Sequence, residues 1–310
     1  MFSVVFPGQG SQTVGMAKEL YQKKTYIKEL FGRADEILGF SLSKLILEGP
    51  KIELDQTENT QPAIFLVSYS IFEMIKRETD LDIAQVKYFA GHSLGEYSAL
   101  AASGFLDFDQ AITLLKTRGK AMQTAIPKGE GGMLAVLGAE ISTISNLLKE
   151  NDKKYECYIA NDNSNGQIVI SGKNKDLNLL IEDLKKKTIK NIKLSVSAPF
   201  HCKLMSAATK VMKQEILNAD FKNTNNIIIS NVTASEANNS NQIKDLLIKQ
   251  IESPVRWRES IIYMINNGVR KIIEIGPGKV LSGLIKRIDK SVNLVTINEI
   301  NDLNSLNTND

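Results

Sequence analysis

Gly91-His92-Ser93-Leu94-Gly95 stands between an apolar run, Val86 to Ala90, and a stretch of helical composition, Glu96 to Ala102, which Gly104 closes. A short apolar run bounded in this way reads as a buried strand. The five residues after it then form a sharp strand-to-helix turn at the edge of a covered, largely parallel sheet. G-x-S-x-G exposes a serine at the tip of such a turn, and its small residues relieve the crowding there. The helix start also leaves backbone N–H groups unpaired, so the Leu94 N–H is available to an oxyanion. Bare matches to this pattern occur by chance. The strand before it and the helix after it make Ser93 a candidate nucleophile.

The same alternation extends along the chain. Phe2 to Phe6 reads as a strand ended by Pro7 and Gly8, and a helix is expected to start near Thr60, with Pro62 in its first turn. Asp107 can cap a further helix carrying Ile112, Leu114, Leu115 and Met122 on its apolar side. From Gly132 the order changes: strand (Met133–Leu137), helix (Ile141–Lys149), strand (Tyr155–Ala160), strand (Gln167–Ser171), helix (Lys175–Lys187), strand (Lys190–Val196). That is the βαββαβ pattern of a ferredoxin-like unit. Alternation then resumes with a helix over Leu204–Leu217, strands over Ile227–Ser230, Lys271–Ile275 and Leu294–Ile297, and helices over Arg256–Asn267 and Val280–Arg287. The polar tail Asn301–Asp310 is expected to fray. The expected fold is therefore α/β: an α/β-hydrolase-like main domain with a mostly parallel sheet, residues 1–127 and 198–310, carrying an inserted ferredoxin-like subdomain, residues 128–197.

Composition narrows the function. With 310 residues, 43% of them hydrophobic, the chain can bury a sizeable core. A net charge of +3 and an aromatic fraction of 6% give no reason to expect nucleic acid. No run of about 20 apolar residues suggests a membrane span, and no basic segment precedes the first apolar stretch as in a signal peptide, so a cytoplasmic protein is expected. Cys157 and Cys202 make neither a disulfide framework nor a C-x-x-C pair, and no metal or cofactor is expected.

A nucleophilic serine needs a base, and the chain has two histidines. His92 adjoins Ser93 on the turn, where successive side chains diverge. His201, in Pro199-Phe200-His201 just after the inserted unit, remains as the candidate base. A Ser-Lys pair is the rival chemistry, but Ser41-Leu42-Ser43-Lys44 lacks the accompanying S-D-N and K-T-G. Pro7-Gly8-Gln9-Gly10-Ser11-Gln12 fails the dinucleotide and P-loop spacings. It is either a second backbone donor to the serine's site or an ordinary strand-end turn.

Seven motifs in register carry a resemblance over about Val4 to Asn298. They are PGQGSQ (7–12), GHSLGE (91–96), TRG (117–119), IAN with GQIVISG (159–172), PFH (199–201), QIESPVRW (250–257) and EIGPGKVLSGL (274–284). Together they resemble the malonyl-CoA:acyl-carrier-protein transacylases of type II fatty acid synthesis and the acyltransferase domains of polyketide synthases. The resemblance implies an acylated Ser93, His201 as general base and then acid, and an oxyanion hole from the N–H groups of Gln9 and Leu94. It implies that Arg118 grips the malonyl carboxylate and that Asn161 and Met122 lie near the pocket. It also implies that the main-chain carbonyl of Gln250 orients His201, with a carboxylate as the alternative. Leu94 and Phe200 match the pattern that accompanies malonyl rather than branched acyl groups.

The implied partners are malonyl-CoA and, transiently, acyl carrier protein, in a ping-pong reaction of a monomer. Lys185, Lys186, Lys187 and Lys190, or Lys286 and Arg287, are candidates for steering an acidic carrier, although such runs are commonly solvated faces. A serine thioesterase or hydrolase on the same framework is the alternative, and Arg118 discriminates because a general thioesterase needs no cation for a carboxylate. A non-catalytic carrier-binding module is disfavoured by an intact Ser93 and His201.

Overall fold

The computed structural model describes residues 1–196 and 198–306; Ser197, at the expected domain boundary, and residues 307–310 of the tail lie outside them. In chain order the strands are β1 (Phe2–Phe6), β2 (Val86–Gly91), β3 (Gly131–Leu137), β4 (Cys157–Ser164), β5 (Gln167–Lys173), β6 (Lys190–Lys193), β7 (Ile228–Ile229), β8 (Glu236–Ala237), β9 (Lys271–Ile275) and β10 (Asn293–Ile297). Among the described residues they form two sheets, β10-β9-β1-β2-β7-β8 and β4-β5-β3-β6. The first is parallel from β10 to β7 and ends in the antiparallel β8. The second is antiparallel throughout, with the strand order of a ferredoxin-like unit.

Strand pleating explains why the main sheet is apolar on both faces. Val4 and Phe6 of β1 enter one core and Val5 the other; Phe89 of β2 joins the first, Tyr88 and Ala90 the second. The second sheet is covered on one face by its own helices, which pack on Leu134, Val136, Ile168 and Ile170. Its alternate residues Met133 and Val169 belong to the main core. The period of two thus turns one face of the small sheet towards the body built around the main sheet. Main-chain bonds from Val255 N to the Ala160 carbonyl (2.8 Å) and from Asp162 N to the Val255 carbonyl (3.0 Å) tie β4 to that body. Arg258 adds a two-oxygen ion pair with the buried Asp162.

Several boundaries move. The helix expected from Thr60 spans Thr57–Glu78, so Pro62 lies inside it rather than in its first turn. The strand expected at Tyr155–Ala160 runs Cys157–Ser164, and that expected at Lys190–Val196 stops at Lys193. Four helices between Lys18 and Leu54, and one over Ser240–Gln250, were not expected. Ser41 of the S-x-x-K match accepts from the Lys44 N–H at the start of the helix Leu42–Glu48, so it works as a helix cap. Among the described residues no helix is long and apolar enough to cross a membrane.

Candidate active site

Adjacent parallel strands β1 and β2, with Phe6 opposite Gly91, deliver Gln9 and Ser93 to the same edge of the sheet. Ser93 adopts φ 55°, a left-handed conformation that costs a non-glycine residue roughly 1–2 kcal/mol. Close packing imposes it. A Cβ on Gly91 would fall 1.9 Å from the Gly95 carbonyl, and one on Gly95 2.3 Å from the Phe6 carbonyl oxygen. Asn231 clamps the turn: its Nδ2 donates to the Gly91 carbonyl and its Oδ1 accepts from the Ser93 N–H, both at 2.7 Å.

His201 meets this serine from 108 residues away, its Nε2 2.8 Å from Ser93 Oγ. Its Nδ1 lies 2.9 Å from the Gln250 main-chain oxygen. A carbonyl only accepts, so Nδ1 carries the proton and a neutral ring presents Nε2 as acceptor to the serine hydroxyl. Burial, then the Arg118 charge, holds the imidazole down to about 3. Among the described residues no carboxylate pairs with the ring, so the carbonyl stands where an Asp stands in the usual triad. His92 points elsewhere: it shares a 2.8 Å hydrogen bond with Asn163 Oδ1, lies against Trp257, and is held below its ordinary value by burial.

Arg118 is fully buried. The helix Phe108–Thr124 brings it there because Gly119 lets that helix approach the Thr57–Glu78 helix; a Cβ at Gly119 would lie 2.6 Å from the Thr57 carbonyl oxygen. Its Nη1 donates to Gln61 Oε1 (2.7 Å), and its Nη2 donates to Gln250 Oε1 (2.9 Å) and to Ser93 Oγ (3.2 Å). All three acceptors are neutral, and among the described residues no carboxylate makes an ion pair with Arg118. A desolvated cation beside the Ser93 hydroxyl, hydrogen-bonded only to neutral acceptors, is suited to an anionic group brought by a substrate.

Ser93, His201, Gln9, Leu94, Arg118, Met122, Asn161 and Phe200 line one cleft of about 140 Å³ between the two sheets. Gln250 lies behind it, wholly buried. Met133 and Val169 of the small sheet complete the wall. Among the described residues the backbone N–H groups of Gln9 and Leu94 have no hydrogen-bond acceptor, as donors facing an oxyanion would. Cys202 contacts the Pro199 carbonyl at 3.1 Å and burial pushes its thiol up to about 12, so it is a packed neighbour of His201. Sequence reading missed Gln61, Asn231, the side chain of Gln250 and the use of Glu96. Glu96 and Gln250 each stand in one of the motifs, GHSLGE and QIESPVRW, but their contact spans 154 residues.

Residues 3–303 match the acyl transferase domain family. A malonyl CoA-acyl carrier protein transacylase of Bacillus subtilis (strain 168) is 42% identical over 297 residues, 95% of this chain and 92% of the relative. The solved acyl-carrier-protein-S-malonyltransferase of Bartonella henselae is 38% identical with a TM-score of 0.95, over 98% of both chains. A malonyl-transacylase solved with its type II PKS acyl-carrier protein is 35% identical with a TM-score of 0.94, also over 98% of both chains. Sharing that family's fold from end to end, the chain belongs to the acyl transferase domain family, among the malonyl-CoA:acyl-carrier-protein transacylases.

Proposed function

We propose that this chain transfers a malonyl group from malonyl-CoA to the phosphopantetheine thiol of acyl carrier protein, supplying fatty acid chain elongation, through a malonyl-serine at Ser93. Ser93 Oγ attacks the thioester carbonyl carbon while His201 Nε2 takes the hydroxyl proton. The negative charge that develops on the carbonyl oxygen is received by the N–H groups of Gln9 and Leu94, each contributing roughly 2.7–4 kcal/mol in comparable sites. As the tetrahedral species collapses, the C–S bond breaks and His201 returns its proton to the coenzyme A sulfur. The carrier thiol then repeats the sequence on the malonyl-serine, giving its proton to His201, which passes it to Ser93 Oγ. Arg118 holds the malonyl carboxylate, and Met122, Asn161 and Phe200 shape the cleft around the acyl chain. Residues 1–127 and 198–310 act as the catalytic body, and residues 128–197 as an insert that closes one wall.

The observation that carries this reading is Arg118, buried beside Ser93 Oγ and held by neutral acceptors. A thioesterase for uncharged acyl groups has no use for that cation. Likeness to a malonyl-transacylase solved with an acyl-carrier protein supports the carrier as acceptor. Intact mass tests both halves: incubation with malonyl-CoA is expected to add one malonyl group, and carrier protein to remove it as malonyl-carrier. Release as free malonate, with no carrier product, would identify a hydrolase instead.

A further inference from the structure

We propose that Glu96 sets the acyl selectivity of the site by fixing the side-chain amide of Gln250, which in turn holds the guanidinium of Arg118. The inference rests on Ser93 and Arg118 acting as described under the proposed function. Glu96 is 2% exposed in the first turn of the helix Gly95–Ala102. It does not line the cleft. Its Oε2 accepts from Gln250 Nε2 at 2.8 Å and from the Asn231 N–H at 3.1 Å.

Burial pushes the Glu96 carboxyl up to about 7, but Oε2 already accepts from the Asn231 N–H and stays an acceptor in either protonation state, so the NH₂ end of the Gln250 amide must face it. Nε2 also donates to the Ser93 carbonyl at 3.1 Å. The amide oxygen is thereby turned to the other side, where Arg118 Nη2 donates to it at 2.9 Å. A flipped amide would set oxygen against carboxylate and NH₂ against guanidinium, so both contacts select one orientation. The guanidinium is then fixed between two amide oxygens, Gln61 on one side and Gln250 on the other.

The charge arrangement follows the same logic. Burial works against the Arg118 cation, while Tyr97 and Glu96 support it electrostatically. A carboxylate in direct contact would occupy the fork. Placed one amide away, Glu96 supports the cation without taking any of its N–H donors. Glu96 is therefore a positioning residue: it acts through Gln250 and touches none of the reacting atoms.

The test is competitive loading of Ser93 from equal malonyl-CoA and acetyl-CoA, read by intact mass. Glu96→Gln keeps the shape but removes the charge, weakening the acceptor that fixes the Gln250 amide and the support for the Arg118 cation. The malonyl-to-acetyl ratio is expected to fall about five- to tenfold, acetyl loading falling far less. Combined with Arg118→Ala, Glu96→Gln should lower the ratio no further than Arg118→Ala alone, since both act on one contact. Equal losses for both acyl groups, or additive losses in the double variant, would overturn the inference. Should Glu96→Gln fail to fold, Gln250→Leu keeps the main-chain carbonyl for His201 and removes the same amide. Its ratio is expected to fall likewise, and an unchanged ratio would overturn the inference. Failure of the unaltered protein to load from malonyl-CoA would instead sink the proposed function.

Discussion

Arg118 Nη2 lies 3.2 Å from Ser93 Oγ, on the hydroxyl that also meets His201 Nε2 at 2.8 Å. Imidazole and guanidinium therefore converge on one serine oxygen. In the proposed transfer the cation selects the acyl group and takes no part in proton transfer.

Removing it separates selection from chemistry. In Arg118→Ala, Ser93 and His201 are retained, so acetyl loading is expected to persist. A lost hydrogen-bonded charge contact is worth about 1.5–3 kcal/mol, so malonyl preference should fall roughly tenfold or more. Arg118→Lys, one mobile point charge in place of a planar fork, should fall in between. Competitive loading from malonyl-CoA and acetyl-CoA measures this, and an unchanged preference would remove Arg118 from acyl recognition.

The two histidines should separate cleanly. His201→Ala is expected to abolish acylation and transfer together, since one imidazole serves both. His92→Ala should retain turnover and lose stability, about 1–3 kcal/mol, because it leaves Asn163 Oδ1 without its partner at the elbow. Single-turnover loading beside a denaturant titration checks both. An inactive His92→Ala with an active His201→Ala would reverse the assignment.

Burial and Arg118 hold His201 at about 3 when folded, against the ordinary 6.5 of the unfolded chain. Between these values the unfolded state binds the extra proton, so stability is highest above the unfolded value and declines as pH falls. The expected loss is about 2 kcal/mol by about pH 5. Tm against pH should therefore fall more steeply for the unaltered protein than for His201→Gln, which cannot titrate. Parallel curves would mean that the ring is not buried in its neutral form.

The left-handed φ of Ser93 predicts a stability order. Ser93→Ala and Ser93→Gly both remove the nucleophile, and neither should gain a malonyl group. Only the glycine relieves the backbone, so it should be the more stable of the two by about 1 kcal/mol. A malonyl adduct on either variant, mapped to another residue, would dismiss Ser93 as the nucleophile.

Gly119→Ala tests how the cation is delivered. Its Cβ would push against the Thr57 carbonyl, separating two buried helices at a cost of about 1–3 kcal/mol. Arg118 should shift with its helix, so malonyl preference should drop along with Tm. A variant with wild-type Tm and preference would show that the contact relaxes without moving Arg118.

What the sequence by itself determined was local. The strand–elbow–helix around Ser93 was legible because apolar periodicity and glycine spacing are properties of neighbours along the chain. The same holds for the βαββαβ insert and for the Asp107 cap. Chain arithmetic, with two histidines and one of them beside the serine, pointed to His201, and the structure places its Nε2 2.8 Å from Ser93 Oγ. Tertiary structure decided everything that depends on which distant groups meet. It put Asn231 onto the Ser93 N–H across 138 residues and Glu96 onto Gln250 across 154, and it set the Gln250 carbonyl against His201 Nδ1. Such contacts leave no period in a single sequence, because a buried polar side chain takes its partner from packing rather than from spacing. The surface helices between Lys18 and Leu54 escaped notice for a related reason. They bury only a narrow stripe, such as Ile27, Phe31 and Ala34 in the helix Thr25–Leu38, and the core that makes this stripe meaningful is assembled from the rest of the chain.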